Sequence, residues 1–345
     1  MEKTKYFIGL DISADDFTAS CITTPDNIIF SAQKFQNNLD GFNEFFDFLL
    51  SREIQPTETI VCMESTGVYC EEIAYFLYSK GFSVSIEAPH KVKQKIKDTP
   101  RKNDFIDSLA IAEYSYRYLD KLPIWKPQVE ILQQLKTLLS VREHLITQKT
   151  ASENALKTLK RKYIKTPLAL AIYEENVKKF NEQIKQIDKE IETLIEKDDN
   201  FKMKMDLAMS VPGIGLLLAT NLLVLTDGFT KHLNYKEMAS YVGICPYERI
   251  SGSSLHKKPR SKRYGPSRLR KLLYLAALSV IKHNLNFRKY YLRKIEEGKS
   301  KRLVINNIEN KLLKIIFAVI KSGTKYIENY RSVNPIYLKK CLNMS

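Results

Sequence analysis

The sequence predicts a chain of two kinds of structure: an α/β domain built on a mixed sheet, then a basic, all-α region. Three observations carry this. Up to about residue 120, short β-rich runs alternate with amphipathic helical stretches. Beyond Pro123 and Pro127 the strand signals stop and long helical periodicity takes over. Charge divides at the same place, with 12 Lys and Arg against 19 Asp and Glu in residues 1–120, and 43 against 20 in residues 121–345.

Three β-rich runs come first, YFIGLDIS, FTASCITT and IIFSAQKF, separated by the turn-like pieces ADD and PDN. That spacing predicts an antiparallel meander. LDGFNEFFDFLLSR follows, with Phe42, Phe45, Phe46 and Leu49 at helical spacing. ETIVCMES reads as a fourth strand, apolar enough to be covered on both faces. The helix GVYCEEIAYFLYSKG, the strand FSVSIEAP and a helix from about Asn103 to Tyr118 complete the domain. The order β-β-β-α-β-α-β-α is that of the ribonuclease-H-like fold.

Between Val129 and Lys197 the chain reads as long helices broken near Pro167. Val177, Phe180, Ile184, Ile187, Ile191 and Leu194 recur at steps of three and four, a coiled-coil seam that either closes a hairpin within one chain or joins two chains. The rest is helical and basic, with an irregular stretch from Val242 to Pro266. The expected organisation is an α/β domain over residues 1–122, a helical coiled-coil linker over 123–200 and a basic helical domain over 201–345.

Length and composition bound the function. A chain of 345 residues with 44% hydrophobic and 27% charged residues holds two or three globular units. A net charge of +16 points to a polyanion, nucleic acid before an anionic membrane surface. The longest apolar stretch, Gly213 to Leu225, is shorter than the roughly 18–20 residues of a membrane span, so no membrane partner is expected. Five scattered cysteines without zinc spacing, and an N-terminal run that passes straight into a strand, give the expectation of a cytoplasmic protein.

Four carboxylates stand where such a fold can gather them. Asp11 interrupts the apolar first strand and Glu64 ends the fourth, and in a ribonuclease-H-like sheet those strands are neighbours. Two acids side by side are costly unless a cation neutralises them. Asp104 and Asp107, spaced i, i+3 at the start of a helix, share one face that closes over the pair. Oxygen-only ligands favour Mg²⁺ or Mn²⁺, as one ion or two, and such ions hold a scissile phosphate.

The pattern resembles bacterial insertion-sequence transposases with an N-terminal Asp-Glu-Asp-Asp RuvC-like domain, relatives of the Piv site-specific invertases and bridge-RNA-guided recombinases. In the first half it rests on GLDIS with Asp11, MESTGVY with Glu64, and RKNDFIDSLAIAEY with Lys102, Asp104 and Asp107, where Ser108 replaces the commoner Ala. In the second half SVPGIGLLLATNLL is similar to the family's helix-hairpin-helix, and Gly213 and Gly215 form either a turn whose amides suit a phosphate or a plain interhelical turn, the basic context favouring the first. YVGICPYERISGSS and KRYGPSRLRKLLYLAA resemble its Gly-x-x-Pro, Ser-Gly and Leu-Arg motifs, with Pro266 where a small polar residue is more usual.

The resemblance implies that Ser251 attacks DNA to form a covalent phosphoserine link. The residues alone leave Ser251, Ser253 and Ser254 equivalent and favour a Gly-Ser loop with no nucleophile, beside a stretch from Lys257 to Lys271 with eight Lys and Arg and no acid. Its candidates for phosphate contact are Lys257, Lys258, Arg260, Lys262, Arg263, Arg268 and Arg270. Tyr290 and Tyr291, in the alternating aromatic and basic segment NFRKYYLRK, either stack on bases or pack in the core. The expected function is a DNA transposase or recombinase acting with a guide RNA as a homodimer or homotetramer. A structure-selective endonuclease of the Holliday-junction type, using the carboxylates alone, and a non-catalytic architectural protein are the other readings.

Overall fold

A computed structural model describes residues 4–93, 104–231, 234–251, 255–261 and 265–328. The chain divides into two compact units, Met1–Pro127 and Gln128–Ser345.

The first unit is a five-stranded sheet of β1 (Tyr6–Ile12), β2 (Asp16–Thr24), β3 (Asn27–Gln36), β4 (Thr59–Glu64) and β5 (Ser83–Glu87), with α1 (Leu39–Leu50) between β3 and β4 and α2 (Glu71–Ser79) between β4 and β5. α3 (Pro89–Lys93) and α4 (Asp104–Arg117) follow. The strand order is β3-β2-β1-β4-β5. β1, β2 and β3 form the expected antiparallel meander, and β4 and β5 run parallel to β1. The helix expected from Gly67 begins with a 3₁₀ turn, Gly67–Cys70, before α2.

Strand alternation separates two cores. Ile8, Leu10 and Ile12 of β1 join Phe42, Phe45, Ile73 and Leu77 of α1 and α2 on one face. Phe7 joins Ile60, Cys62, Ile111 and Ala112 on the other, under α4. Asn38 caps α1 by accepting from the Gly41 amide at 3.0 Å.

The second unit opens with α5 (Glu130–Arg161) and α6 (Pro167–Glu196). They pair as an antiparallel hairpin within the chain, Pro167 starting α6 where its missing N–H costs nothing. Arg142 donates to both carboxylate oxygens of Asp188 at 2.6 and 3.1 Å, and Lys160 meets Glu174 at 2.7 Å. The seam residues Ile191 and Leu194 are buried in the helical core with Leu132, Leu135 and Leu139, whereas Val177, Phe180 and Ile184 are half-buried.

After them come α7 (Asp199–Met209), α8 (Leu216–Leu225), α9 (Tyr235–Val242), β6 (Pro246–Ser251), β7 (Leu255–Ser261), α10 (Ser267–His283), α11 (Leu285–Glu296) and α12 (Lys301–Ser322). β6 and β7 correct the expectation that no strand follows Pro127 and that Val242–Pro266 is irregular: they form an antiparallel hairpin. Its strands, PYERIS and LHKKPRS, lack the apolar alternation that marks a half-buried strand, and cross-strand pairing makes them. No described helix is long and apolar enough to cross a membrane.

Candidate active site and nucleic-acid surface

Strand register brings the first two carboxylates together. β1 and β4 pair in parallel from Tyr6 opposite Thr59 to Leu10 opposite Met63, so one step on Asp11 stands level with Glu64. Level residues of neighbouring strands, roughly 4.8 Å apart, project from the same face. Glu64 in turn pairs with Glu87 of β5, and Asp11 with Thr18 of β2. Asp11 and Glu64 are half-buried and Glu87 is 2% exposed.

Helix α4 covers that face because β1 has no side chain at Gly9. A Cβ there would stand 2.1 Å from the Ser108 carbonyl oxygen and 2.4 Å from the Ala112 nitrogen. Farther back along β1, Phe7 meets the Tyr116 ring edge-on at 5.0 Å. α4 therefore runs antiparallel to β1, and its first turn, with Asp104 and Asp107, overhangs the strand end that carries Asp11. Asp107 is exposed, and the side chain of Asp104 lies outside the described residues. Among the described residues no three His, Cys, Asp or Glu side chains stand close enough to hold a metal ion.

Ser108, where the resembled family more often has Ala, has a partner. Its hydroxyl shares a buried 2.8 Å hydrogen bond with Ser20 of β2, and the Ala32 amide donates to the Ser20 hydroxyl at 3.0 Å. Asn37 fastens the rim of the site by donating to the carbonyls of Ser13 and Tyr69 at 2.9 and 3.0 Å. In the 3₁₀ turn after Glu64, Val68 and Tyr69 are exposed.

Glu87 is the carboxylate that sequence reading passed over. Lys91 of α3 meets it at 3.0 Å, and the Tyr114 hydroxyl donates to it at 3.4 Å. Burial, then the Glu87 charge, push the Tyr114 hydroxyl up to about 12, and the same two causes push the Cys62 thiol to about 12. Only its register with Glu64 reveals Glu87, and register depends on the order of strands.

In the second unit the SVPGIG segment turns between α7 and α8. Gly213 has φ +78°, and a Cβ there would stand 2.5 Å from Val280 of α10. Gly215 caps α8 in an extended conformation with open space around it. Ser251 ends β6 opposite Leu255, at the tip of the hairpin. Lys257, Lys258 and Arg260 lie along β7, while Lys102, Ser253, Ser254, Lys262 and Arg263 lie outside the described residues.

Two of the expected phosphate-contacting arginines do structural work. Arg268 donates to the Leu139 carbonyl and lies 3.6 Å from Glu143, which joins α10 to α5. Burial, opposed by the charge of Glu143, pulls its pKa down. Arg270 donates to the carbonyls of Val242 and Gly265 at 2.8 and 3.2 Å. Tyr290 and Tyr291 are half-buried against the helical core.

Comparison with known proteins finds matches along most of the chain. Residues 8–164 match a family described as transposase, and residues 205–292 match the transposase IS116/IS110/IS902 family. The pilin gene-inverting proteins of Moraxella lacunata and Moraxella bovis are each 29% identical over 332 residues, spanning 94% of this chain and 98% of theirs. The transposase for insertion sequence element IS1111A of Coxiella burnetii is 24% identical, over 84% of this chain and 87% of its own. The chain belongs to the IS110/IS116/IS902 family of transposases, enzymes of DNA recombination.

Proposed function

We propose that this transposase cuts and exchanges DNA strands through a covalent serine link, with a guide RNA choosing the sites. The observation that carries the reading is the level placement of Asp11 and Glu64 on adjacent parallel strands under the first turn of α4. The order β3-β2-β1-β4-β5 supports a ribonuclease-H-like, RuvC-like catalytic domain over residues 1–122. Residues 123–200 serve as a helical coiled-coil arm and 201–345 as the DNA-handling domain.

The donor set fits a hard divalent cation, since every candidate ligand is a carboxylate and two of them share one face of the sheet. Asp11, Glu64, Asp104 and Asp107 would hold Mg²⁺ or Mn²⁺. When bound, the ion supplies positive charge to the phosphate oxygens. Ser251 Oγ forms the new bond to phosphorus as the strand oxygen leaves. The serine proton passes to solvent, and the departing alkoxide takes one up to become a hydroxyl. Lys257, Lys258 and Arg260 on the partner strand of the hairpin, with Lys262 and Arg263 beyond it, hold the phosphate backbone.

The Gly213–Gly215 turn, read as part of a helix-hairpin-helix, offers backbone amides to a second phosphate. The excess of Lys and Arg supports binding of both DNA and a guide RNA, because backbone contacts need no base reading when pairing supplies the sequence. A homodimer or homotetramer would let carboxylates and serine act from different subunits.

The test combines purified protein, copurified RNA, Mg²⁺ and supercoiled DNA carrying the element ends, resolved on a denaturing gel. A protein–DNA adduct is expected, lost in Ser251→Ala and reduced by about 10³-fold in Asp11→Asn. Nicking without an adduct, sensitive to Asp11 and indifferent to Ser251, would replace this reading with a metal-dependent endonuclease of the Holliday-junction type.

A further inference from the structure

Within the helical unit a cavity of about 820 Å³ opens between α11, α12 and the segment that follows α12. That volume lies in the range of roughly 300–1,000 Å³ in which small-molecule-sized groups are held. Its floor is aromatic and aliphatic, with Phe287 and Tyr290 from α11 and Tyr326 from the segment after α12. Its rim carries Lys311, Lys314 and Lys325, and no acidic side chain among the described residues lines it.

The walls are fixed by contacts of their own. The Tyr326 amide donates to the Ser210 hydroxyl at 2.9 Å, which ties this segment to the start of the SVPGIG turn. Glu328, beside the wall, is turned to Asn284 and Asn286 at 3.3 and 3.1 Å. The nearby Glu297 is engaged by Lys294 and Arg293.

Positive charge is crowded around Lys311. The Lys311 ammonium lies over the Tyr290 ring, 4.1 Å from its centre, and Arg293 lies 5.8 Å from the same ring. Burial, then the like charges of Arg293, Lys314 and Lys294, pull the Lys311 pKa down. An anion placed at the rim would relieve that repulsion. An apolar, aromatic floor under a cationic rim suits one kind of ligand in particular, a planar base joined to a phosphate.

We propose that this cavity binds an unpaired nucleotide of a nucleic-acid strand, its base beside Phe287 and on Tyr290 in place of the Lys311 ammonium, and its phosphate at Lys311 and Lys314. A base held in a duplex has no free face to offer the floor, so the site selects single-stranded over paired segments. The site shares no residue with the carboxylate cluster or Ser251, so it stands or falls apart from the catalytic reading.

The experiment uses the full chain and three fluorescent probes of one length, single-stranded DNA, single-stranded RNA and blunt duplex DNA, titrated at several salt concentrations. The Lys311→Gln/Lys314→Gln variant should lose about tenfold in single-strand affinity, with a salt slope shallower by about 1.4, while duplex affinity stays within about twofold. Tyr290→Leu should weaken single-strand binding with an unchanged slope, and Lys311→Arg/Lys314→Arg should retain it. Photocrosslinking of the same strands carrying a 5-iodopyrimidine should map to Tyr290 or Phe287. Loss confined to the DNA strand would assign the cavity to a displaced DNA segment, and loss confined to RNA to a bound RNA; both support the proposal. Equal loss for single strand and duplex, or crosslinks that map elsewhere, would overturn it.

Discussion

In the α/β unit, charged residues occupy positions that register assigns to them. Asp11, Glu64 and Glu87 form one row across β1, β4 and β5, and the helix above them approaches through the gap at Gly9. In the helical unit many charged residues hold the fold together. Arg142 clamps Asp188 across the α5–α6 hairpin, Arg268 joins α10 to α5, and Arg270 ties the start of α10 to the end of α9. A formal charge on a sequence is thus not a charge available to a ligand. In the basic half a cation's backbone partners must be known before it can be assigned to phosphate.

Gly9→Ala tests the first half of that contrast and carries the largest effect. A Cβ 2.1 Å from the Ser108 carbonyl oxygen forces α4 away from β1, at a cost of about 3 kcal/mol. Thermal unfolding should show the loss. Strand cleavage should fall with it while duplex binding persists, and unimpaired cleavage would show that the α4 spacing does not set the site.

Glu309 sharpens the second half. It is 6% exposed on α12, and burial, opposed by the Arg302 charge, pushes its carboxyl up to about 7. The folded chain holds that proton more tightly than the unfolded chain, so its stabilising contribution is complete at low pH and is lost as pH rises through about 7. Glu309→Gln should therefore raise stability by about 2 kcal/mol near pH 8 and change it little near pH 4, in denaturant titrations at the two pH values. A pH-independent difference would mean the carboxylate is compensated within the fold.

The smallest effect belongs to Ser20 and Ser108, a polar pair inside the α/β unit. A double-mutant cycle to Ala should return a coupling of about 1 kcal/mol, and a coupling of zero would leave Ser108 without a structural role.

The order of elements in the first unit was legible because each strand is a short apolar run and each helix shows its own period, as in YFIGLDIS and LDGFNEFFDFLL. Asp11 and Glu64 were legible as charges breaking apolar strands. Glu87 was not, because a glutamate at a strand end looks solvent-facing until the strand order puts it beside Glu64. The β6–β7 hairpin was hidden for a different reason, since Lys257, Lys258 and Arg260 occupy a strand with little apolar surface to bury. The cavity beside Tyr290 brings together residues from two helices and a terminal segment, and no spacing along the chain encodes it.

The overhang of α4 on β1 divides the carboxylates by how their backbone opens to solvent. β1 is paired on both sides and sandwiched between two cores, so its amides exchange with solvent only when the whole unit unfolds. Asp104 and Asp107 ride on α4, which packs on one face of the sheet and pairs with no strand. One half of the carboxylate set is as permanent as the fold itself. The other half depends on how α4 lies against the sheet, so a displacement of that helix would part the two pairs without breaking a strand.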